Sequence, residues 1–103
     1  MTIAQAQISN VSATAIYTST NNSAVTSMVF CNTTNGTVLL TVYLIPNGGS
    51  AGDSTTIIKS LSIIAYDTYV FDTSKFILSN GDKVSAISDT NNAVTASISY
   101  VGI

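Results

Sequence analysis

The sequence predicts an all-β fold: a single-domain, antiparallel two-sheet sandwich, jelly-roll-like, with about eight strands. Three observations carry this. From residue 25 to the end, apolar and polar residues alternate in one short run after another. Thr, Val, Ile and Tyr dominate those runs, and such residues fit a pleated, half-buried surface. The runs are separated at sandwich-like intervals by Thr20-Asn21-Asn22-Ser23, Asn35-Gly36, Asn47-Gly48-Gly49-Ser50, Asn80-Gly81-Asp82 and Asp89-Thr90-Asn91-Asn92. Residues of these types tolerate the left-handed region or brace a turn with their side chains. At 103 residues the chain is expected to form one domain, 1–103, around a single core.

Residues 1–20 are expected to form an N-terminal strand or arm, with strands near 2–8 and 14–18 and an extended link over 9–14. The next two runs are 24–33 and 37–45. Asn35-Gly36 lies between them, and Asn-Gly favours a type I′ hairpin turn because both central residues need φ > 0. In the second run Val38, Leu40, Val42 and Leu44 share one face, and Leu39, Tyr43 and Ile45 share the other with Thr37 and Thr41. The first face is the expected core. The second is apolar enough to suggest that another subunit covers it. The Gly-rich loop that follows, from Gly48 to Ser54, is a good place for partner contact at its tip. The candidate interface residues are therefore Leu39, Tyr43, Ile45, Gly48 and Gly49.

Further strands are predicted at 55–64, 67–72, 75–79, 83–88 and 93–101. Segment 57–64 is long enough for a helix, but Thr55-Thr56-Ile57-Ile58 and Ile63-Ile64 are β-branched and disfavour one. In the last, Val94, Ala96, Ile98 and Tyr100 alternate with Thr95, Ser97 and Ser99. In the Asn80-Gly81-Asp82 turn, Gly81 is expected to take φ > 0. Edge strands of such sheets are usually guarded by Lys, Pro or bulges. With three Lys and one Pro in the whole chain, the edges point to packing against further copies, most simply as a homotrimer.

Charged residues make up 8% of the chain, replaced largely by neutral Ser, Thr and Asn. Interface cores are depleted in charge, so such a surface suits packing against other subunits. Lys59, Lys75 and Lys83 are too few and scattered to displace phosphate counterions, and Arg is absent, so nucleic-acid binding is not expected. No apolar run approaches a membrane span. The start Met1-Thr2-Ile3-Ala4-Gln5 lacks the basic and apolar regions of a signal peptide, so the protein is expected to stay in the cytoplasm of the cell that makes it.

No catalytic centre is expected. There is no His and no Glu, which removes the usual partner of a Ser or Cys nucleophile and the commonest zinc ligand. Cys31, the only cysteine, reads as a small buried hydrophobe rather than a reactive thiol. A pair of catalytic carboxylates would have to come from Asp53, Asp67, Asp72, Asp82 and Asp89. Asp53, Asp82 and Asp89 sit in turn sequences instead, and no Asp-x-Asp spacing suggests calcium. The Gly48–Ser54 loop lacks the Lys-Ser/Thr pair of a phosphate-binding loop. Tyr17, Tyr43, Tyr66, Tyr69 and Tyr100 could stack on sugars, although packing suits them better in the absence of Trp. No cofactor or metal is expected.

Phe30-Cys31-Asn32-Thr33-Thr34 leads into Val42-Tyr43-Leu44-Ile45-Pro46-Asn47-Gly48-Gly49, then Phe76-Ile77-Leu78-Ser79-Asn80-Gly81-Asp82-Lys83-Val84-Ser85-Ala86, and finally Val94-Thr95-Ala96-Ser97-Ile98-Ser99-Tyr100-Val101. Over residues 25–103 this resembles small β-sandwich virion proteins of tailed bacteriophages. The resemblance implies a capsid decoration (cement) protein or a neck or tail component, often trimeric. Such a protein would be located on the virion and partnered by the major capsid or other virion proteins, and the family has no catalytic residues to carry over. The alternative from another class is a carbohydrate-binding module using Tyr with loop Asp and Asn.

Overall fold

The structure, a computed structural model, describes residues 2–71 and 76–103. The sequence-predicted strand residues Asp72 and Lys75 lie outside them. The described residues form nine strands in order: β1 (Thr2–Gln7), β2 (Thr14–Thr18), β3 (Ser23–Asn32), β4 (Val38–Ile45), β5 (Thr56–Ile63), β6 (Thr68–Phe71), β7 (Phe76–Leu78), β8 (Lys83–Ser88) and β9 (Val94–Gly102). A 3₁₀ turn, Asp53–Thr55, precedes β5.

The strands form two antiparallel sheets. One has the order β1-β9-β3-β6, with β7 pairing β3 beyond β6, and the other is β2-β8-β4-β5. The first half of the chain thus pairs with the second half in reverse: β1 with β9, β2 with β8, β3 with β6 and β7, and β4 with β5. A long ribbon folded over on itself in this way is a jelly roll. β6 and β7 fall within the separate strands expected at 67–72 and 75–79, and they take successive stretches of the same edge of β3, at Met28–Cys31 and Ser23–Val25.

The core lies between the sheets and includes Ile16, Val25, Met28, Phe30, Val38, Leu40, Val42, Val84, Val94, Ala96 and Ile98. Strict alternation would not place all of these inside. Thr26 has no partner in β9, where Val25 pairs with Tyr100 and Ser27 with Ser99. This one-residue bulge changes the parity of β3, so Val25 and Met28 can both face inward. A similar shift between Ala15 and Tyr17 buries two successive residues, Ile16 and Tyr17. Tyr17 stacks on Tyr100 with ring centroids 4.0 Å apart, and its hydroxyl is 2.7 Å from Ser23 Oγ.

One expectation needs correcting. The Asn35-Gly36 turn is not a hairpin, because β3 and β4 belong to different sheets. Neither residue has positive φ. The segment crosses between the sheets and is fixed by Asn32, which is fully buried. Its amide nitrogen donates to the carbonyls of Gly36, Ile63 and Ile64 at 2.8, 3.0 and 3.1 Å. Its Oδ1 accepts from Thr34 N and Thr34 Oγ1. The strands expected near 2–8 and 14–18 are present: Thr2–Gln7 lies along β9 and Thr14–Thr18 along β8. The expectation for Gly81 holds, with φ +89°.

Candidate functional site

Among the described residues the carboxylates are dispersed, and three of the four accept from backbone N–H groups. Asp82 accepts from Ser79 N and Asn47 N, both at 2.9 Å, and ties the β7–β8 turn to the end of β4. Asp89 accepts from Leu39 N at 3.1 Å, and Asp67 from Thr68 N at 2.9 Å. Asp53 makes an exposed ion pair with Lys59 at 3.5 Å. Asp72 lies outside the described residues. Among those described, no three His, Cys, Asp or Glu side chains are grouped to hold a metal. An open cleft of about 200 Å³ is lined by Leu44, Ile45, Pro46, Ile77, Leu78 and Asp82. Both oxygens of its one carboxylate are already taken by backbone N–H groups.

The tyrosines form no platform. Tyr17 is buried, while Tyr43, Tyr69 and Tyr100 are half-buried. Tyr66, 70% exposed, stands alone among them in the β5–β6 turn. It is the one tyrosine with φ > 0, at +60°.

The predicted interface residues divide. Leu39 is 42% exposed and Tyr43 half-buried, on the face of β4 turned away from the core. Ile45 shares their parity, but it is buried, which corrects the expectation that it would be free to meet a partner. The turn that follows folds back toward it: Gly49 N donates to Pro46 O, and a Cβ at Gly49 would come within 3.3 Å of Ile45 Cγ2. Gly48 and Gly49 are exposed. Gly48, at φ +84°, makes the turn possible.

A larger neutral surface lies on the other sheet. The outward rows run Ile77–Ala24–Val101, Val70–Val29–Ser97–Gln5 and Thr68–Cys31–Thr95–Gln7, with Ser27–Ser99–Ile3 between the first two. Among the described residues, none on this face is charged. Ile3, Val70 and Ile77 are more than half exposed. Cys31 lies on this face, half-buried, and so is not the core residue expected. The sequence reading missed this face because its members come from five strands that meet only through long-range pairing. One local trace was present: Val29, Phe30 and Cys31 are consecutive apolar residues, so both faces of β3 had to be apolar.

The sequence matches no protein-family model and no curated protein.

Proposed function

We propose that this chain is a structural virion protein of a tailed bacteriophage, a capsid decoration (cement) protein or a neck or tail component, that associates with further copies and binds neighbouring virion subunits. The observation that carries this reading is the uncharged outer face of the β1-β9-β3-β6 sheet, with its exposed Ile3, Val70 and Ile77. Large exposed apolar patches on soluble domains mark interaction sites. The residual resemblance to phage virion proteins over residues 25–103 supplies the setting. Jelly rolls also serve in lectins and cupins, so the fold does not choose among them. The absence of His and Glu and the scattered tyrosines argue for adhesion over chemistry or sugar stacking. Many modest contacts, repeated over a particle, add through multivalency.

Mass spectrometry of purified particles should find the protein in stoichiometric amounts. Val70→Asp should abolish particle binding while circular dichroism stays unchanged, because an unpaired charge in a desolvated contact costs several kcal/mol. Loss of binding on Leu39→Asp or Tyr43→Asp, with Val70→Asp still competent, would move the contact to the β4 face. Asp53→Asn, Asp67→Asn, Asp82→Asn and Asp89→Asn should each leave binding nearly intact in folded protein. A well-folded Asp→Asn variant without binding would point back to a carboxylate or calcium site.

A further inference from the structure

The four sheet edges differ in how they are protected. At β5, the register against β4 shifts twice, Ser60 takes φ +52°, and Lys59 projects beside it. The β2 edge is five residues long and carries its own bulge. The edge beyond β3 is divided between the four residues of β6 and the three of β7. Bulges, short strands and Lys are the usual devices that stop a sheet from adding a strand. The β1 edge has none of them. Its six residues, Thr-Ile-Ala-Gln-Ala-Gln, keep unbroken register with β9 and include no charge and no proline.

The backbone groups on that edge can be assigned. Ile8 N donates to Val94 O, and Ile8 O accepts from Asn92 N, so both polar groups of Ile8 point toward the β9 side. Strand groups alternate with period two. Ala6 and Ala4 therefore bond to β9, and Ile3, Gln5 and Gln7 direct their N–H and C=O groups away from the sheet. Each of these residues has one donor and one acceptor to satisfy.

We infer that β1 is a joint between two copies of this chain, pairing antiparallel with itself about a two-fold axis at Gln5. This rests on the self-association in the reading above and names its surface. In that register Gln5 faces Gln5 of the second copy, and Ile3 faces Gln7, so each outward N–H meets a carbonyl. The sequence is self-complementary: no like charges meet, and Ala4 opposite Ala6 on the inner side adds no bulk. The join is isologous and closes on two copies. It also makes the uncharged outer faces of both copies continuous, with Ile3 at the seam.

The test uses sedimentation equilibrium on the intact chain. Wild type should show the mass of a pair at micromolar concentration. Because Gln5 is its own partner, Gln5→Lys and Gln5→Glu should each weaken pairing about tenfold or more through like-charge contact. Mixing the two variants in equal amounts should restore the pair. The substitutions should be tolerated by the fold, since Gln5 is exposed and its side chain makes one bond, to Ser97 Oγ; circular dichroism verifies this. In wild type, amide exchange at Ile3, Gln5 and Gln7 should slow as concentration rises. A pair or a trimer indifferent to both Gln5 substitutions, or no recovery on mixing, overturns the β1 joint while leaving self-association standing. A wild-type monomer across the micromolar range overturns both.

Discussion

Asn32→Ala should destabilise the protein by about 3 kcal/mol or more, the largest effect expected of any single polar substitution. The side chain is fully buried at the end of β3 and has no equivalent among the described residues. Its amide donates to Gly36 O, Ile63 O and Ile64 O, while its carbonyl oxygen accepts from Thr34. It thereby ties three segments together: the end of β3, the crossover to β4, and the exit of β5. Alanine would strip a donor from the Ile63 carbonyl, where the bond is buried, and from the partly buried bonds to Gly36 and Ile64, and each unmet buried group costs about 1–3 kcal/mol. Water entering at the exposed Gly36 and Ile64 would offset part of this, which keeps the estimate near the lower end. Urea denaturation should show a lower midpoint at unchanged slope. A loss below about 1 kcal/mol would mean that the crossover is held by its flanking strands alone. Asn32→Asp sharpens the test. A carboxylate there would face carbonyl oxygens, so its folded-state pKa should lie above the ordinary value near 4. The variant should therefore be least damaged below about pH 4 and progressively less stable as pH rises through that raised pKa.

Asn32 also marks the limit of what the sequence could reveal. Strand positions were legible because burial imposes a period-two pattern on residues that touch the core, and β4, β8 and β9 keep that pattern over most of their length. What local pattern cannot supply is the choice of sheet. Asn35-Gly36 has the local chemistry of a tight hairpin, but hairpin formation would place β3 and β4 side by side. The fold instead pairs β3 with β9 across some seventy positions of chain, as in Met28 with Ile98. The side chain that fixes this crossover reads in sequence as one more polar residue at a strand end. For the same reason the sequence drew attention to β4, where one strand displayed two apolar faces, and did not reveal the uncharged face assembled from β1, β9, β3, β6 and β7. Ile45 was read correctly for parity and incorrectly for exposure, because the Pro46–Gly49 turn that covers it is a tertiary feature.

Gly81→Val should cost about 2–4 kcal/mol, more than backbone strain alone would give. Gly81 has φ +89°, in a region that β-branched residues rarely enter, and this accounts for about 1–2 kcal/mol. The remainder is steric. A Cβ at Gly81 would lie 2.5 Å from Asn47 Cγ, 2.6 Å from Asn47 Oδ1 and 2.9 Å from Asn47 Cβ. Rotation of the Asn47 side chain would move Cγ and Oδ1 but not Cβ, which follows a backbone held by the bond from Asn47 N to Asp82 Oδ1. Nor can the turn shift freely: Gly81 N donates to Ser19 O at 2.9 Å, and Asp82 O accepts from Ser19 N at 2.8 Å. The two contributions can be separated by a double-mutant cycle. Gly81→Ala in the wild-type background should show both strain and clash. In an Asn47→Gly background, where the obstructing side chain is gone, the same substitution should cost only about 1–2 kcal/mol of backbone strain. Thermal or urea unfolding of the four proteins reads this directly. Equal costs in both backgrounds would show that Asn47 rotates away without penalty, and that the junction of β4 with the β7–β8 turn is looser than its hydrogen bonds imply.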